Sequence, residues 1–499
     1  MVTRSIFCLV LFLATPTPTP AQDQTRSRFE SIAARIEEEL VRQEVPSLAV
    51  AVAQNGRILW EQGFGWADVQ AQILATEHTR YALASVSKPM TATGLMVLVE
   101  GGEIDLDAPV DRFLGEAKLQ AMVGRVEDAT VRTLANHTSG LTKFYNLYFD
   151  DEPGRPPTRD EMIRRWGVLM SVPGASHEYS NLGYGVLDYI ISRSAGRSFG
   201  EHMSEAVFEP LGMHETTVGI PSEGVVAVRY MPGGERLPSS VSSTLGSGAV
   251  YSSAHDLVRF GMFHLQEHLE DQRPILEDDS IDEMHRATAV APLSFYDVGY
   301  GIGWRTWVSA QEGMRVVQHT GAMEGATAML TFVPEKRVAI AVMANKTCFL
   351  VSNVHDLLVA EVLGVSKLDP PYREKVPSER TSAEILSAVS GTWRGAVHAY
   401  DEKVPIELKI DDSRSAMVRL GESEWRPVKT SVRNGRVQCV FAGDEKAGSE
   451  WRRWPINITL TLRTPDGEKC TGTLFADAAP DPIKGVPFGF TLWVTLERG

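Results

Sequence analysis

The segment Leu95-Met96-Val97-Leu98-Val99 limits the fold more than any other stretch of this chain. It follows Pro89, which fits a first helical turn but not a helix interior, and it stops at Gly101-Gly102. The helix so bounded is apolar on every side. It has to be buried, with the rest of the chain wrapped around it. At its mouth stands Ser85-Val86-Ser87-Lys88. Residues three apart share a helical face, which brings the Ser85 hydroxyl and the Lys88 amine within hydrogen-bond reach. The partial positive charge of a helix N-terminus and the apolar neighbours Ala84, Val86 and Met90 both disfavour an ammonium. An uncharged lysine can take a hydroxyl proton as the serine attacks a carbonyl. Ser85 is therefore a candidate nucleophile and Lys88 a candidate base. A capping serine followed by a snorkelling surface lysine would explain the same four letters, but no other Ser-x-x-Lys occurs in the chain.

At 499 residues, 43% hydrophobic and 23% charged, the chain has an ordinary globular composition and is too long for one compact domain. Its formal net charge of -15 argues against nucleic acid or an anionic membrane as partner, because both need a basic face. Residues 1–21 read as a secretory signal. Arg4 precedes a short apolar run, Ile6–Ala14, and Thr19-Pro20-Ala21 places small residues before a cut after Ala21. The run is too short to span a bilayer, so the mature protein is expected to be secreted or periplasmic, with no integral membrane segment. Cys348, Cys439 and Cys470 remain, too few and too widely spaced for a disulfide framework or a zinc pattern. Cys439 and Cys470 can pair or stay as buried thiols. Asp105, Asp107 and Asp111 lack the glycine and terminal glutamate of a calcium loop and read as helix caps. No metal and no cofactor is expected.

Taken in order, Phe29, Ile32, Ala33, Ile36 and Leu40 recur at helical spacing. Ser47–Ala53 and Ile58–Phe64 read as two strands joined at the turn Asn55-Gly56. The middle of the chain is mostly helical, including Gly183–Ser194 and Asp256–Leu265. His137 lies in a polar turn and reads as a structural histidine. Near residue 320 the strands return: Met314–Val317 leads into His319-Thr320-Gly321, and Ala326–Val333 and Val338–Met343 flank a turn. The expected assembly is α+β, one antiparallel sheet built from both ends with a helical subdomain inserted between them. Residues 365–385, rich in Pro, Lys, Glu and Ser, read as a linker. Beyond it come short alternating segments at 404–410, 415–420, 436–441, 457–462, 471–475 and 488–496, separated by turn residues such as Asn434-Gly435. They suggest a small all-β barrel or sandwich over 386–499, after a first domain over 22–364. No catalytic constellation stands out in this second domain, which reads as a structural cap.

Three motifs stand in order: Ser85-Val86-Ser87-Lys88, Tyr179-Ser180-Asn181 and His319-Thr320-Gly321. Together they suit acyl transfer. Tyr179 can share the proton work with Lys88, delivering a proton to the leaving group and then activating water. Asn181 can bond a substrate amide and hold Lys88. Gly321 lets a sheet edge approach the substrate, and the N–H groups of Ser85 and Ala322 can form an oxyanion hole. As ordinary residues, Tyr179 and Asn181 would sit in a loop and His319 would cap a strand. Tyr-x-Asn, however, occurs once in the chain.

The arrangement resembles the serine β-lactamase and penicillin-binding-protein-like hydrolases, in the branch of class C β-lactamases, D-alanyl-D-alanine carboxypeptidases and family VIII esterases. Leu134–Leu141, Tyr179–Leu187, Pro210–Met213, Gly246–Asp256, Gly301-Ile302-Gly303-Trp304 and His319–Asn345 all look like that framework, which covers roughly the first three-quarters of the chain. The C-terminal part is similar to the lipocalin-like domains that some members append. The resemblance implies a serine hydrolase acting on a small ester, amide or peptide through a Ser85 acyl-enzyme, with Ser85, Lys88 and Tyr179 catalytic and Asn181, His319, Gly321 and Ala322 binding substrate. Class C enzymes carry Lys-Thr-Gly where this chain has His319-Thr320-Gly321. Histidine is mostly neutral near pH 7, so the substitution favours esters or D-amino-acid amides over β-lactams and C-terminal peptide carboxylates. A β-lactamase or D-alanyl-D-alanine carboxypeptidase is the second reading, and a non-catalytic binding protein using the same cleft the third.

Overall fold

A computed structural model describes residues 20–150, 156–292, 296–372, 381–400, 402–411, 415–433, 436–442, 456–463, 466–478 and 488–499. The expected signal, the Asn434-Gly435 turn and the middle of the expected linker lie outside the described residues, apart from Pro20 and Ala21.

Both ends of the first domain meet in one nine-stranded antiparallel sheet. Its spatial order is Ala289–Pro292, Asp297–Tyr300, Arg305–Val308, Arg315–Met323, Ala326–Val333, Val338–Ala344, Ser47–Gln54, Arg57–Asp68 and Ile73–Leu74. Pairing of Ser47–Gln54 with Val338–Ala344, Leu48 opposite Ala344, joins the two ends. Side chains alternate across a strand, and both faces are covered. Val50, Val52, Val316 and Ile340 pack under the helices Pro20–Arg42 and Leu350–Leu363. Ala49, Ala51, Leu330 and Ala341 pack with Leu95, Leu257 and Phe260 from the helices on the opposite face. Small residues on that second face let helix Ala254–His264 lie close, and the central helix packs among the helices of the same layer.

That helix is Ser87–Glu100, and it is buried nearly all round, as its composition requires. Helix Asn181–Ala195 and the short helix Leu245–Gly248 pack against it from the inserted region. Helix Ala254–His264 begins under the cap of Ser253, whose hydroxyl accepts from Asp256 N.

The C-terminal unit is an eight-stranded antiparallel barrel of Gly391–His398, Lys403–Ile410, Ser415–Leu420, Arg426–Arg433, Arg436–Ala442, Ile456–Leu462, Lys469–Ala478 and Phe488–Arg498. It closes where Trp393 lies opposite Arg498. Trp393, Leu408, Leu460, Leu474 and Val494 fill its interior. Cys439 and Cys470 are buried and remain free thiols. The last barrel strand also pairs with Tyr145–Phe149 of the first domain, Gly489 opposite Tyr145, and that strand pairs with Ser240–Ser242. One hydrogen-bonded ladder thus runs from the barrel into the inserted region. The sequence expectation of an α+β hydrolase domain followed by an all-β lipocalin-like domain matches the observed architecture.

Candidate active site

Ser85 sits in a single 3-10 turn, Ala84–Val86, that runs directly into helix Ser87–Glu100. Ala84 has φ 47°, a left-handed conformation that costs a residue with a Cβ about 1–3 kcal/mol. The turn presents Ser85 to a cavity while its neighbours Ala84 and Val86 stay buried. Lys88 is wholly buried. Its amine lies 3.1 Å from Ser85 Oγ and donates to Ser247 O at 2.7 Å. Burial pulls the amine's pKa well below the ordinary lysine value, and the nearby Arg305 guanidinium pulls it further in the same direction. A neutral amine keeps a lone pair for the serine proton.

The acceptor Ser247 O is itself fixed. Asp188, buried in helix Asn181–Ala195, accepts from Gly246 N at 2.9 Å and pairs with Arg159 at 2.8 Å. Thr91 donates to Gly246 O at 2.8 Å from the same helix as Lys88. The segment around residue 247 is therefore clamped from two sides.

Tyr179-Ser180-Asn181 forms the N-terminus of helix Asn181–Ala195. Ser180 Oγ caps it, accepting from Gly183 N at 3.0 Å and donating to Thr142 O at 2.9 Å. The cap fixes Tyr179 beside the lysine. The Lys88 amine is 4.7 Å from the Tyr179 ring centroid and 5.5 Å from that of Tyr184. Asn181 lines the cavity beside Ser85, and its Oδ1 is buried without a hydrogen-bond partner among the described residues. His137 has φ 63°, and its Nδ1 accepts from Ser180 N at 3.1 Å, so it holds the Tyr179 loop from behind.

The third motif lies inside strand Arg315–Met323 rather than after its end. A Cβ on Gly321 would stand 2.0 Å from Leu83 O and 3.1 Å from Ser85 N, so only glycine lets this strand touch the serine turn. Ala322, the next residue, lines the cavity. His319 does not. Its ring is wholly buried, with Nε2 3.0 Å from Tyr300 OH and Nδ1 2.9 Å from Thr320 O. Burial holds its pKa well below the ordinary histidine value, with Arg305 and then Lys88 adding to the effect. The neutral ring donates from Nδ1 and accepts the Tyr300 hydroxyl at Nε2.

Arg305 was not singled out from the sequence. It lies on the neighbouring strand, opposite Gln318, and donates from Nη1 to Thr320 Oγ1 at 3.1 Å. Its Nε is buried without a partner among the described residues. The fixed positive charge that His319 does not carry is thus supplied one strand away. Its position directly after Gly301-Ile302-Gly303-Trp304 was the available signal.

Ser85 opens onto a cavity of about 410 Å³ whose polar lining includes Asn181, Ser242, Thr244 and Ser247. Phe144, Leu147, Met323 and Phe475 make its apolar walls. Among the described residues no group of three His, Cys, Asp or Glu side chains is placed to hold a metal ion, and no helix is long and apolar enough to cross a membrane.

Residues 32–362 match the family model described as Beta-lactamase. Penicillin-binding protein 4* of Bacillus subtilis is 28% identical over 374 residues, covering 70% of this chain and 78% of its own. A D-aminopeptidase of Brucella anthropi is 24% identical over 85% of this chain and 76% of its own length. Among solved structures, the octameric penicillin-binding protein homologue from Pyrococcus abyssi aligns with a TM-score of 0.59 at 23% identity, over 94% of this chain and 99% of that one. The chain belongs to the β-lactamase family and is a serine hydrolase of that family.

Proposed function

We propose that this protein cleaves an ester or amide bond of a small substrate through an acyl-enzyme on Ser85. The observation that carries the reading is the wholly buried Lys88 amine, 3.1 Å from a serine hydroxyl at the foot of an open cavity. Ser85 Oγ attacks the carbonyl carbon as its proton passes to Lys88. The carbonyl oxygen gains negative charge and is met by the N–H groups of Ser85 and Ala322. As the tetrahedral centre collapses, the bond to the leaving group breaks, and Tyr179, exchanging with Lys88, returns the proton to the departing oxygen or nitrogen. Water then attacks the ester on Ser85 and gives a proton to the same pair; the bond from the acyl carbon to Ser85 Oγ breaks, the proton returns to Oγ and the acid leaves. Asn181 Oδ1 accepts from a substrate amide N–H.

Turnover of p-nitrophenyl acetate and butyrate by the wild type and Ser85→Ala tests this reading. The variant is expected to lose turnover with its circular dichroism unchanged. Retained turnover refutes the acyl-enzyme.

A second reading, a substrate ending in a free carboxylate such as a peptide C-terminus or a β-lactam, is favoured by Arg305 beside Thr320. Labelling of Ser85 by a fluorescent penicillin supports it, and its absence alongside esterase activity counts against it. The pattern of residues 1–21 supports export to a secreted or periplasmic location, and the change of composition at 365–385 supports a division into hydrolase (22–364) and barrel (386–499) domains.

A further inference from the structure

Phe475 belongs to the barrel, on strand Lys469–Ala478. Its neighbours Leu474 and Ala476 are wholly buried inside the barrel. Successive residues of a strand face opposite ways, so Phe475 faces out. An outward ring on a closed barrel ordinarily meets water. Here it lines the cavity that holds Ser85.

The barrel is anchored at that spot. Thr491 lies directly opposite Phe475 in the strand pairing, and its hydroxyl donates to Lys143 O at 3.2 Å. Leu147, another cavity residue, is on the Tyr145–Phe149 strand that pairs with the last barrel strand on one side and faces Ser242 on the other. Arg463, at the end of a barrel strand, donates to Met170 O of the first domain. The Lys143 ammonium sits 5.9 Å from the Phe475 ring centroid, at the cavity rim.

We infer that the barrel forms the outer wall of the cleft and that Phe475, with Phe144 and Leu147, makes an apolar subsite for a bulky apolar group of the substrate. The barrel then does more than cap the hydrolase domain, because Phe475 sets which substrates are preferred. Apolar area placed against these three side chains leaves water, and a small substituent leaves part of that contact unmade. The group can belong to the acyl half or to the leaving half of the substrate. The inference rests on the acyl-enzyme reading only for its readout.

The test uses the full chain and two ester series. One compares p-nitrophenyl phenylacetate with p-nitrophenyl acetate, varying the acyl group. The other compares 1-naphthyl acetate with ethyl acetate, varying the leaving group. In one of the two, Phe475→Ala is expected to lower the bulky-to-small ratio of kcat/KM about tenfold or more, mainly through KM, and Phe475→Leu to restore most of it. Bulky and small members falling by a common factor in both series, or no change in either, overturns the subsite. The Ser85→Ala control separates the two failures. If that variant is dead while the Phe475 variants leave both ratios in place, the wall is wrong and the acyl-enzyme stands. If it still turns substrate over, the acyl-enzyme itself has failed.

Discussion

Gly321→Ala is expected to abolish most turnover without touching a proton-transferring group. The added Cβ would stand 2.0 Å from Leu83 O, a backbone atom that cannot swing aside, and 3.1 Å from Ser85 N. Ordinary contact begins near 3.4 Å, so the strand and the serine turn must separate by about 1.4 Å (3.4 less 2.0). Ala322 follows Gly321 on the same strand and has to move with it. Its N–H then leaves the place where the carbonyl oxygen develops charge. Losing one oxyanion donor costs about 10²–10³ in kcat, or about 3–4 kcal/mol, and a 1 Å misplacement alone can cost about 10². The strain falls on a strand edge, so the variant is expected to fold. Steady-state kcat and KM on p-nitrophenyl acetate, with circular dichroism and thermal melting on the same samples, read the effect. The loss should fall on kcat, with KM changed little, because the donor binds charge that exists only in the transition state. A folded variant with kcat within about threefold of wild type would mean that the Ala322 N–H is not an oxyanion donor.

Two further outcomes follow from the buried charges. Arg305 is a cause of the low Lys88 pKa, so removing it lets the amine hold its proton to higher pH. The acid limb of kcat/KM for an uncharged ester should move alkaline in Arg305→Gln, and a limb that stays put or moves acid contradicts the assignment of Lys88 as the neutral base. His285, in the hydrophobic core 3.2 Å from His264, is held by burial at about 3. The unfolded chain takes that proton near 6.5 and the native state refuses it, so stability is full above about pH 6.5 and falls as the pH drops toward 3. One refused proton is worth about 2–3 kcal/mol between pH 7.5 and 4.5. Denaturant titrations of His285→Gln at those two pH values should show a smaller loss than wild type, and an equal loss would place the acid sensitivity elsewhere.

How much of this was legible beforehand depended on the range of the interaction. The central helix and the strands around residues 50 and 340 are written in local periodicity and form as read, while Ser85 lies in the 3-10 turn that leads into the helix rather than on the helix itself. Two barrel strands were missed. Gly391–His398 carries few apolar residues in a row, and Arg426–Arg433 contains Pro427 and scattered charges. Both owe their pairing to neighbours that the local pattern does not contain, above all the closure of Trp393 onto Arg498. The role of Phe475 was hidden for a related reason. Its alternation marks it as an outward strand residue, and only the pairing of the barrel's last strand with Tyr145–Phe149, more than 300 residues earlier, brings it to the cleft.

His319 shows where residue-by-residue reading misleads about charge. A neutral histidine in place of a lysine suggested a cleft without a fixed cation. The ring is instead buried behind the strand and bonded at both nitrogens, while Arg305 stands one strand away against Thr320. A lysine at 319 would give up the Tyr300 hydrogen bond and bring a second charge into the field that already depresses Lys88. Histidine and arginine therefore work as a set: the neutral ring fills the space behind the strand, and the guanidinium holds the positive charge at its edge. The positive charge beside this strand therefore resides on Arg305, against Thr320, and not at position 319.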